Sequence, residues 1–151
     1  MLAGAGWTLE REVPELGRTI GEELLVPTRI YTRDCLALVD AVEVHAMSHV
    51  TGGGLAANLA RVIPDSCAVT LDRGTWSPAP VFGLVAELGV VAQADLEATL
   101  NVGVGMVAVL PADAADAALG LLNGRGLRSW VCGSVVASSA DDPRVTLVGS
   151  H

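Results

Sequence analysis

Apolar residues along the chain change their spacing from one segment to the next, and the spacing predicts which segments are helices and which are strands. Leu36, Val39 and Val42 recur every three residues, close to the helical period of about 3.6 residues, and Asp34 before them is a candidate N-cap. Residues 44–50 instead alternate apolar and polar side chains, as a strand with one buried face does. The same reasoning predicts helices over residues 34–43, 55–63, 80–88, 94–100 and 113–122, and strands over 44–50, 67–72, the later part of 101–111, 130–138 and 144–149.

The first 27 residues are predicted to be a connector. They carry two acidic patches and two prolines, and the expected element is a short helix around residues 19–25 that Pro27 ends. Residues 28–32 have strand-like side chains in a short run. We therefore assign residues 1–27 to a connector and residues 28–151 to one domain.

Turn signals separate the later elements and bear on the fold class. Residues 123–126, NGRG, are typical of the end of a helix, and residues 140–144, ADDPR, predict a turn between the last two strands. Helices and strands are mixed without strict βαβ alternation. The sequence therefore predicts an α+β fold in which a mixed β-sheet packs with helices.

Composition and charge indicate a folded protein and argue against some classes of binding partner. The 151 residues are 51% hydrophobic and 17% charged, which indicates one folded domain with a sizeable core. The net charge of −8, without a basic stripe, argues against nucleic acid as a partner. No apolar run reaches the length of a membrane helix, so no membrane partner is expected. A phosphorylated ligand is still compatible, because backbone amides and one or two arginines hold such a group locally.

Three widely spaced cysteines, Cys35, Cys67 and Cys132, form no CxxC pair. An odd number of cysteines without a signal peptide is typical of free thiols in a reducing, cytoplasmic compartment. We expect them to serve as small buried apolar side chains.

Three consecutive glycines, Gly52–Gly54, stand between a predicted strand and a predicted helix. One interpretation is a tight turn that needs positive φ angles. The other is a phosphate site, because glycines without a Cβ let an anion reach the backbone amides. Thr51 before them is a candidate N-cap. The pattern is not that of a P-loop, and the residues alone leave both interpretations open.

Several isolated polar residues are weaker candidates for a site. His45 and His49 lie four apart, but no Cys or acidic residue has matching spacing nearby, so no metal site is predicted. His45 is interpreted as structural, whereas His49 lies next to the glycines. Asn101 opens a second glycine-rich segment, for which the favoured interpretation is a strand start whose glycines permit close packing, and the alternative is a loop that approaches a ligand. Arg29 alone is typical of a solvated surface charge, but an arginine fixed near a strand end would bind a carboxylate or phosphate. No Ser-His-Asp or paired-carboxylate arrangement is present, so catalytic residues stay unassigned.

Four short segments in order identify a family. LLVPTRIY at 24–31, VHAMSHVTGGGLAANLARVIP at 44–64, W-x-x-P-x-V-F at 76–82 and LNVGVGMVAVLP at 100–111 resemble the C-terminal domain of phosphoribosylformylglycinamidine cyclo-ligase, or AIR synthase. The resemblance extends from about residue 24 to residue 147. Leu100 and Val102 depart from it, since the family often has Phe and Cys there, but both remain apolar.

The resemblance implies a role in purine biosynthesis. The family enzyme uses ATP and Mg²⁺ to close the imidazole ring of 5-aminoimidazole ribonucleotide from formylglycinamidine ribonucleotide. It is a cytoplasmic homodimer whose active site lies between two domains, with most ATP and metal ligands in an N-terminal domain. That domain has no counterpart here, so we expect a C-terminal domain that supplies part of the ribonucleotide site and is inactive alone.

The resemblance also ranks the candidate ligand-binding residues. Gly52, Gly53 and Gly54 become the first choice for amides that contact a phosphate or phosphoryl group. The next candidates are Thr51 and His49, followed by Asn101 and Arg29.

Two alternatives remain at this stage. One is another ATP-dependent enzyme of the superfamily, such as a formylglycinamidine synthase or a hydrogenase-maturation protein. The other is a noncatalytic interaction domain that kept the fold.

Overall fold

The computed structural model describes residues 2–139 and 143–151. Among them the α-helices are α1 (Ile20–Leu24), α2 (Thr32–Ala41), α3 (Gly54–Ala60), α4 (Pro80–Gly89), α5 (Gln93–Thr99) and α6 (Ala115–Gly124). The strands are β1 (Glu12–Val13), β2 (Arg18–Thr19), β3 (Ala46–His49), β4 (Cys67–Asp72), β5 (Met106–Val109), β6 (Gly133–Ala137) and β7 (Val145–Val148). Short 3₁₀ turns occupy Ala3–Ala5, Arg73–Thr75 and Ala112–Ala114.

The strands form three small sheets. Strands β1 and β2 make an antiparallel hairpin, and β3 pairs antiparallel with β5. The third sheet is mixed, because its central strand β4 pairs antiparallel with β6 and parallel with β7. Small sheets packed with helices confirm the predicted α+β class.

Helix α3 is central to the core. It packs against β3, β7 and α5, and its Leu59 side chain is completely buried. The indole Nε1 of Trp76 donates to the carbonyl oxygen of Val102 at 3.1 Å, which satisfies that buried polar atom. The buried apolar residues of this cluster are Val50, Leu55, Leu59, Ile63, Val69, Leu71, Trp76, Val104 and Val107.

The N-terminal segment contains the predicted short helix and an additional hairpin. Helix α1 starts after Thr19, where Thr19 and Glu22 bond each other's backbone amides in a capping box. The β1–β2 hairpin was not predicted, because strands of two residues are too short to show alternation. The division into a connector and a domain stays a prediction.

The region around the start of α2 departs from the sequence pattern. Residues 28–32 have strand-like side chains but form no strand, since no described strand pairs with them and α2 already begins at Thr32. Asp34 is not an N-cap, because α2 already begins at Thr32. Its carboxylate instead accepts a hydrogen bond from Arg125 Nε at 2.8 Å, which ties α2 to the end of α6.

The remaining boundaries follow the sequence pattern closely. Strand β4 has the predicted bounds, and α6 ends within the NGRG segment, where Gly126 has a φ of 76°. The three cysteines are half-buried rather than fully buried, and Cys67 and Cys132 pack against the core cluster. The predicted turn at 140–144 includes residues 140–142, which lie outside the described residues.

Candidate functional site

The glycine loop, Thr51–Gly54, joins β3 to α3 and needs glycine at two positions for structural reasons. Gly53 has a φ of 97° and Gly54 a φ of 75°, both in the left-handed region that disfavours other residues. A Cβ on Gly54 would also lie 2.8 Å from the carbonyl carbon of Glu97, so this residue lets α3 approach α5 closely. The structure thus supports the turn interpretation for these two glycines.

Gly52, in contrast, has neither a left-handed φ nor a close packing contact that would require glycine. Its φ lies outside the left-handed region, and a Cβ built there meets no atom within 4 Å. The residue is exposed at the tip of the loop. Neither backbone strain nor internal packing therefore explains why this position is a glycine.

The buried side chain of Asn58 holds the glycine loop from inside. Its Nδ2 donates to the carbonyl oxygens of Thr51 at 3.2 Å, Gly52 at 3.2 Å and Gly54 at 2.7 Å. Its Oδ1 accepts from the hydroxyl of Thr51 at 3.3 Å. Asn58 was not among the residues predicted from the sequence, although a polar residue on the apolar stripe between Leu55 and Leu59 is a recognisable signal.

These bonds determine which way the loop amides face. In a trans peptide the carbonyl and the following N–H point in opposite directions, and the described residues contain no cis peptide. Because the carbonyls of Thr51 and Gly52 turn inward to Asn58, the N–H groups of Gly52 and Gly53 turn outward. Neither N–H has a hydrogen-bond partner among residues 2–139 and 143–151, whereas the Gly54 N–H bonds Thr51 at 3.3 Å.

Three of the segments that carry the resemblance meet beside this loop. The ring of Tyr31 contacts His49 edge-on, with ring centroids 6.0 Å apart. The same ring packs on Gly105, where a Cβ would lie 2.8 Å from Tyr31 Cζ. Gly105 in turn accepts a backbone hydrogen bond from Val50 at 3.0 Å. Tyr31 was not among the predicted site residues, because nothing local indicates a contact so distant in sequence.

The other predicted site residues have mixed positions. Thr51 is not the N-cap of α3, since Gly53 occupies that position and makes no side-chain cap. The Oδ1 of Asn101 accepts from the Gly103 N–H at 3.2 Å, so this side chain stabilises its own turn. Arg29 is exposed and makes no hydrogen bond or ion pair with any residue the structure describes.

Comparison with known proteins assigns the chain to a family. Residues 2–146 match the family described as "AIR synthase related protein, C-terminal domain". The chain belongs to this family. It is 63% identical over 132 residues to a protein of Streptomyces fradiae named "Putative phosphoribosylformylglycinamidine cyclo-ligase", a match that covers 87% of this chain and 72% of that protein. It is 45% identical over 145 residues to the "Phosphoribosylformylglycinamidine cyclo-ligase" of Symbiobacterium thermophilum.

These matches confirm the resemblance to the AIR synthase C-terminal domain and its α+β fold. The names of both relatives are those of a ligase of purine biosynthesis, as predicted. The match to the Symbiobacterium protein covers 95% of this chain but 41% of that relative, so the chain spans about two fifths of its length.

In this AIR synthase-type domain a charged cluster supports the glycine loop from the α5 side. The guanidinium of Arg73 forks to Glu97, with Nε to Oε1 and Nη2 to Oε2 both at 2.7 Å. Hydrogen bonding from Arg73 holds the pKa of Glu97 below its usual value, against the opposing effect of burial. Since Gly54 packs on the backbone of Glu97, this ion pair fixes the helix that the loop contacts. Arg73 and Glu97 are 24 residues apart in the sequence, so no local pattern predicts that they form an ion pair.

The described residues show neither a metal-binding cluster nor a membrane-spanning helix. The Nδ1 atom of His45 lies 3.7 Å from Oε1 of Glu43. Within residues 2–139 and 143–151, no three His, Cys, Asp or Glu side chains lie close enough together to hold a metal ion. Across the same residues, none of the helices has the length and apolarity needed to span a bilayer.

Proposed function

We propose that this chain works as the C-terminal domain of a phosphoribosylformylglycinamidine cyclo-ligase and that its glycine loop binds a phosphate or phosphoryl group. The whole enzyme would close the imidazole ring of 5-aminoimidazole ribonucleotide from formylglycinamidine ribonucleotide with ATP. The observation that carries the site is the pair of outward N–H groups on Gly52 and Gly53, oriented by Asn58.

The chemistry of such a reaction favours a site of this kind. Transfer of a phosphoryl group spreads negative charge over its oxygens, and positioned donors stabilise that charge more than a base does. Adjacent backbone N–H groups in a glycine turn make an anion-binding concavity. The loop needs no rearrangement to present them, because Asn58 already holds the carbonyls inward.

Of the two cofactors, ATP and Mg²⁺, ATP is the one whose chemistry suits the glycine loop. The phosphates of ATP, like that of the ribonucleotide, suit the glycine loop. Magnesium prefers several oxygen ligands, and the described residues contain no group of three or more His, Cys, Asp or Glu side chains placed to hold a metal ion. We therefore assign ATP or ribonucleotide phosphate contacts to this domain and derive no step through the metal.

The partners in this proposal are an N-terminal domain of the same enzyme and a second subunit of a homodimer in the cytoplasm. Apolar side chains are exposed along the segment between α1 and α2, where Leu25 is 81% and Ile30 83% exposed. Exposed apolar surface of this kind is typical of faces that another domain or subunit covers. The relatives' names favour the cyclo-ligase over other enzymes of the superfamily.

An amide NMR titration tests the ligand site directly. The chain is titrated with formylglycinamidine ribonucleotide, with inorganic phosphate and ATP as comparisons, and the expected shifts centre on Gly52 and Gly53. The Gly52→Val variant has room for its side chain in the fold and blocks approach to the loop, so it should lose the shifts. Equal affinity in Gly52→Val and the unaltered chain would refute the site, as would shifts that leave the loop untouched.

A further inference from the structure

Arg61, which follows α3, reaches back to the glycine loop. Helical side chains lean toward the start of their helix, and Arg61 lies two turns after Gly54 on the same face. Its Nη2 lies 3.9 Å from the position that a Cβ would take on Gly53. Its Nη1 donates to Asn58 Oδ1 at 3.4 Å, so the residue that orients the loop also holds this guanidinium.

The positive charge of Arg61 is not neutralised by a described carboxylate. All nine basic Lys or Arg residues of the chain are arginines. Some of these arginines form ion pairs with Asp or Glu, and two others lie over tryptophan rings. By contrast, no carboxylate in residues 2–139 or 143–151 lies within 4.0 Å of Arg61. The ion-paired arginines are Arg18, Arg73, Arg125 and Arg144, and those over rings are Arg11 and Arg128.

An unneutralised cation next to the glycine loop has a chemical meaning in a chain of net charge −8. An acidic protein offers many carboxylates, yet the guanidinium here contacts an amide oxygen instead. That contact occupies one of the five N–H donors of the guanidinium and adds no charge to cancel it. The remaining donors match the oxygens of a phosphate, which guanidinium binds in a bidentate manner.

We propose that Arg61 binds the same phosphate or phosphoryl group as the Gly52 and Gly53 amides, with Asn58 holding both parts of the site. This inference rests on the proposed phosphate site and deepens it by naming the charged ligand-binding residue. It replaces Arg29, which makes no hydrogen bond or ion pair with any described residue, as the arginine of the site. The ligand class is a tetrahedral phosphate dianion or phosphate ester.

The test compares matched arginine variants with inorganic phosphate at constant ionic strength. Arg33 is the control, because it is exposed and has no described carboxylate partner either. Arg61→Gln should weaken phosphate binding at the Gly52 and Gly53 resonances by roughly tenfold or more, the usual effect of removing a charged hydrogen-bond donor. Arg61→Lys should be intermediate, since it keeps the charge but not the fork. Arg33→Gln should bind as the unaltered chain does.

Two further readings separate the possible failures. The side-chain Nε–H resonance of Arg61 should shift with the loop amides during the titration, and the urea midpoint of Arg61→Gln should stay near that of Arg33→Gln. Unchanged phosphate affinity in Arg61→Gln, with loop shifts intact, overturns the role of Arg61 and leaves the glycine-loop site standing. No loop shift in the unaltered chain at about 10 mM phosphate overturns the site and this inference together.

Discussion

The three adjacent glycines of the loop should respond differently to the same substitution, because the structure gives each a different requirement. Gly52→Ala introduces a side chain into open space at an ordinary φ. Gly53→Ala forces alanine to a φ of 97°, with the nearest atom 3.7 Å away. Gly54→Ala combines a φ of 75° with overlap of the Glu97 backbone.

The expected losses in the free energy of unfolding follow from these differences. A left-handed conformation costs an ordinary residue about 1–2 kcal/mol, which is the loss expected for Gly53→Ala. Overpacking against backbone that cannot turn aside adds about 1–3 kcal/mol, so Gly54→Ala should lose about 2–5 kcal/mol. Gly52→Ala should be neutral or gain up to about 1 kcal/mol, because alanine restricts the unfolded chain.

Equilibrium urea unfolding measures all three variants under the same conditions. Gly120→Ala is the control, because Gly120 lies within α6 with no atom within 4 Å of a Cβ, and alanine there should add about 0.5–1 kcal/mol. If Gly54→Ala costs no more than Gly53→Ala, the close approach of α3 to α5 is not what requires glycine. If Gly52→Ala is as destabilising as Gly53→Ala, the fold itself requires glycine at position 52.

Two other predictions concern charge and backbone strain. Arg73 lowers the pKa of Glu97 from its ordinary 4.5, so the pair stabilises the fold above that pH and the contribution is lost as pH falls through the folded-state pKa. Glu97→Gln should therefore cost about 2 kcal/mol at pH 7 in urea unfolding, and progressively less as the pH falls below 4.5. The exposed Glu87→Gln should show no such trend, and a loss independent of pH would contradict this reasoning. Val90 and Val102 share the left-handed region, with φ of 51° and 47°, but Val90 is 92% exposed and Val102 4% exposed. Val90→Gly should raise the melting temperature by relieving about 1 kcal/mol of strain. Val102→Gly should lower the melting temperature, because it loses buried apolar surface. An unchanged or lower melting temperature for Val90→Gly would count against strain at the end of α4.

Elements with a long hydrophobic pattern were predictable, and those defined by distant partners were not. Strand β4 has the predicted bounds because its alternating Val69 and Leu71 are both buried, which is a local signal. The β1–β2 hairpin has two residues in each strand, too few for any alternation. The segment at 28–30 has strand-forming side chains, but those preferences have no effect without a partner strand.

The position of the candidate site was predictable from its glycines, whereas its supporting residues were not. A glycine triplet between a strand and a helix is visible in the sequence. The contacts of Gly54 with Glu97 and of Gly105 with Tyr31 join segments far apart along the chain, and no periodicity encodes them. Asn58 and Arg61 lie near enough to be noticed, but their meaning depends on side-chain directions that only the folded helix sets.

The separate requirements of the three glycines make it possible to test the fold and the ligand site independently. Gly53 and Gly54 are required by the backbone, so their substitution changes stability and binding together. Gly52 is free of both constraints, yet its N–H faces outward beside that of Gly53. If Gly52→Val preserves the free energy of unfolding but abolishes phosphate binding, the loop at this glycine contacts the ligand. If the phosphate affinity of Gly52→Val is instead unchanged, any phosphate binds elsewhere, and the loop is a structural turn whose outward amides face only solvent.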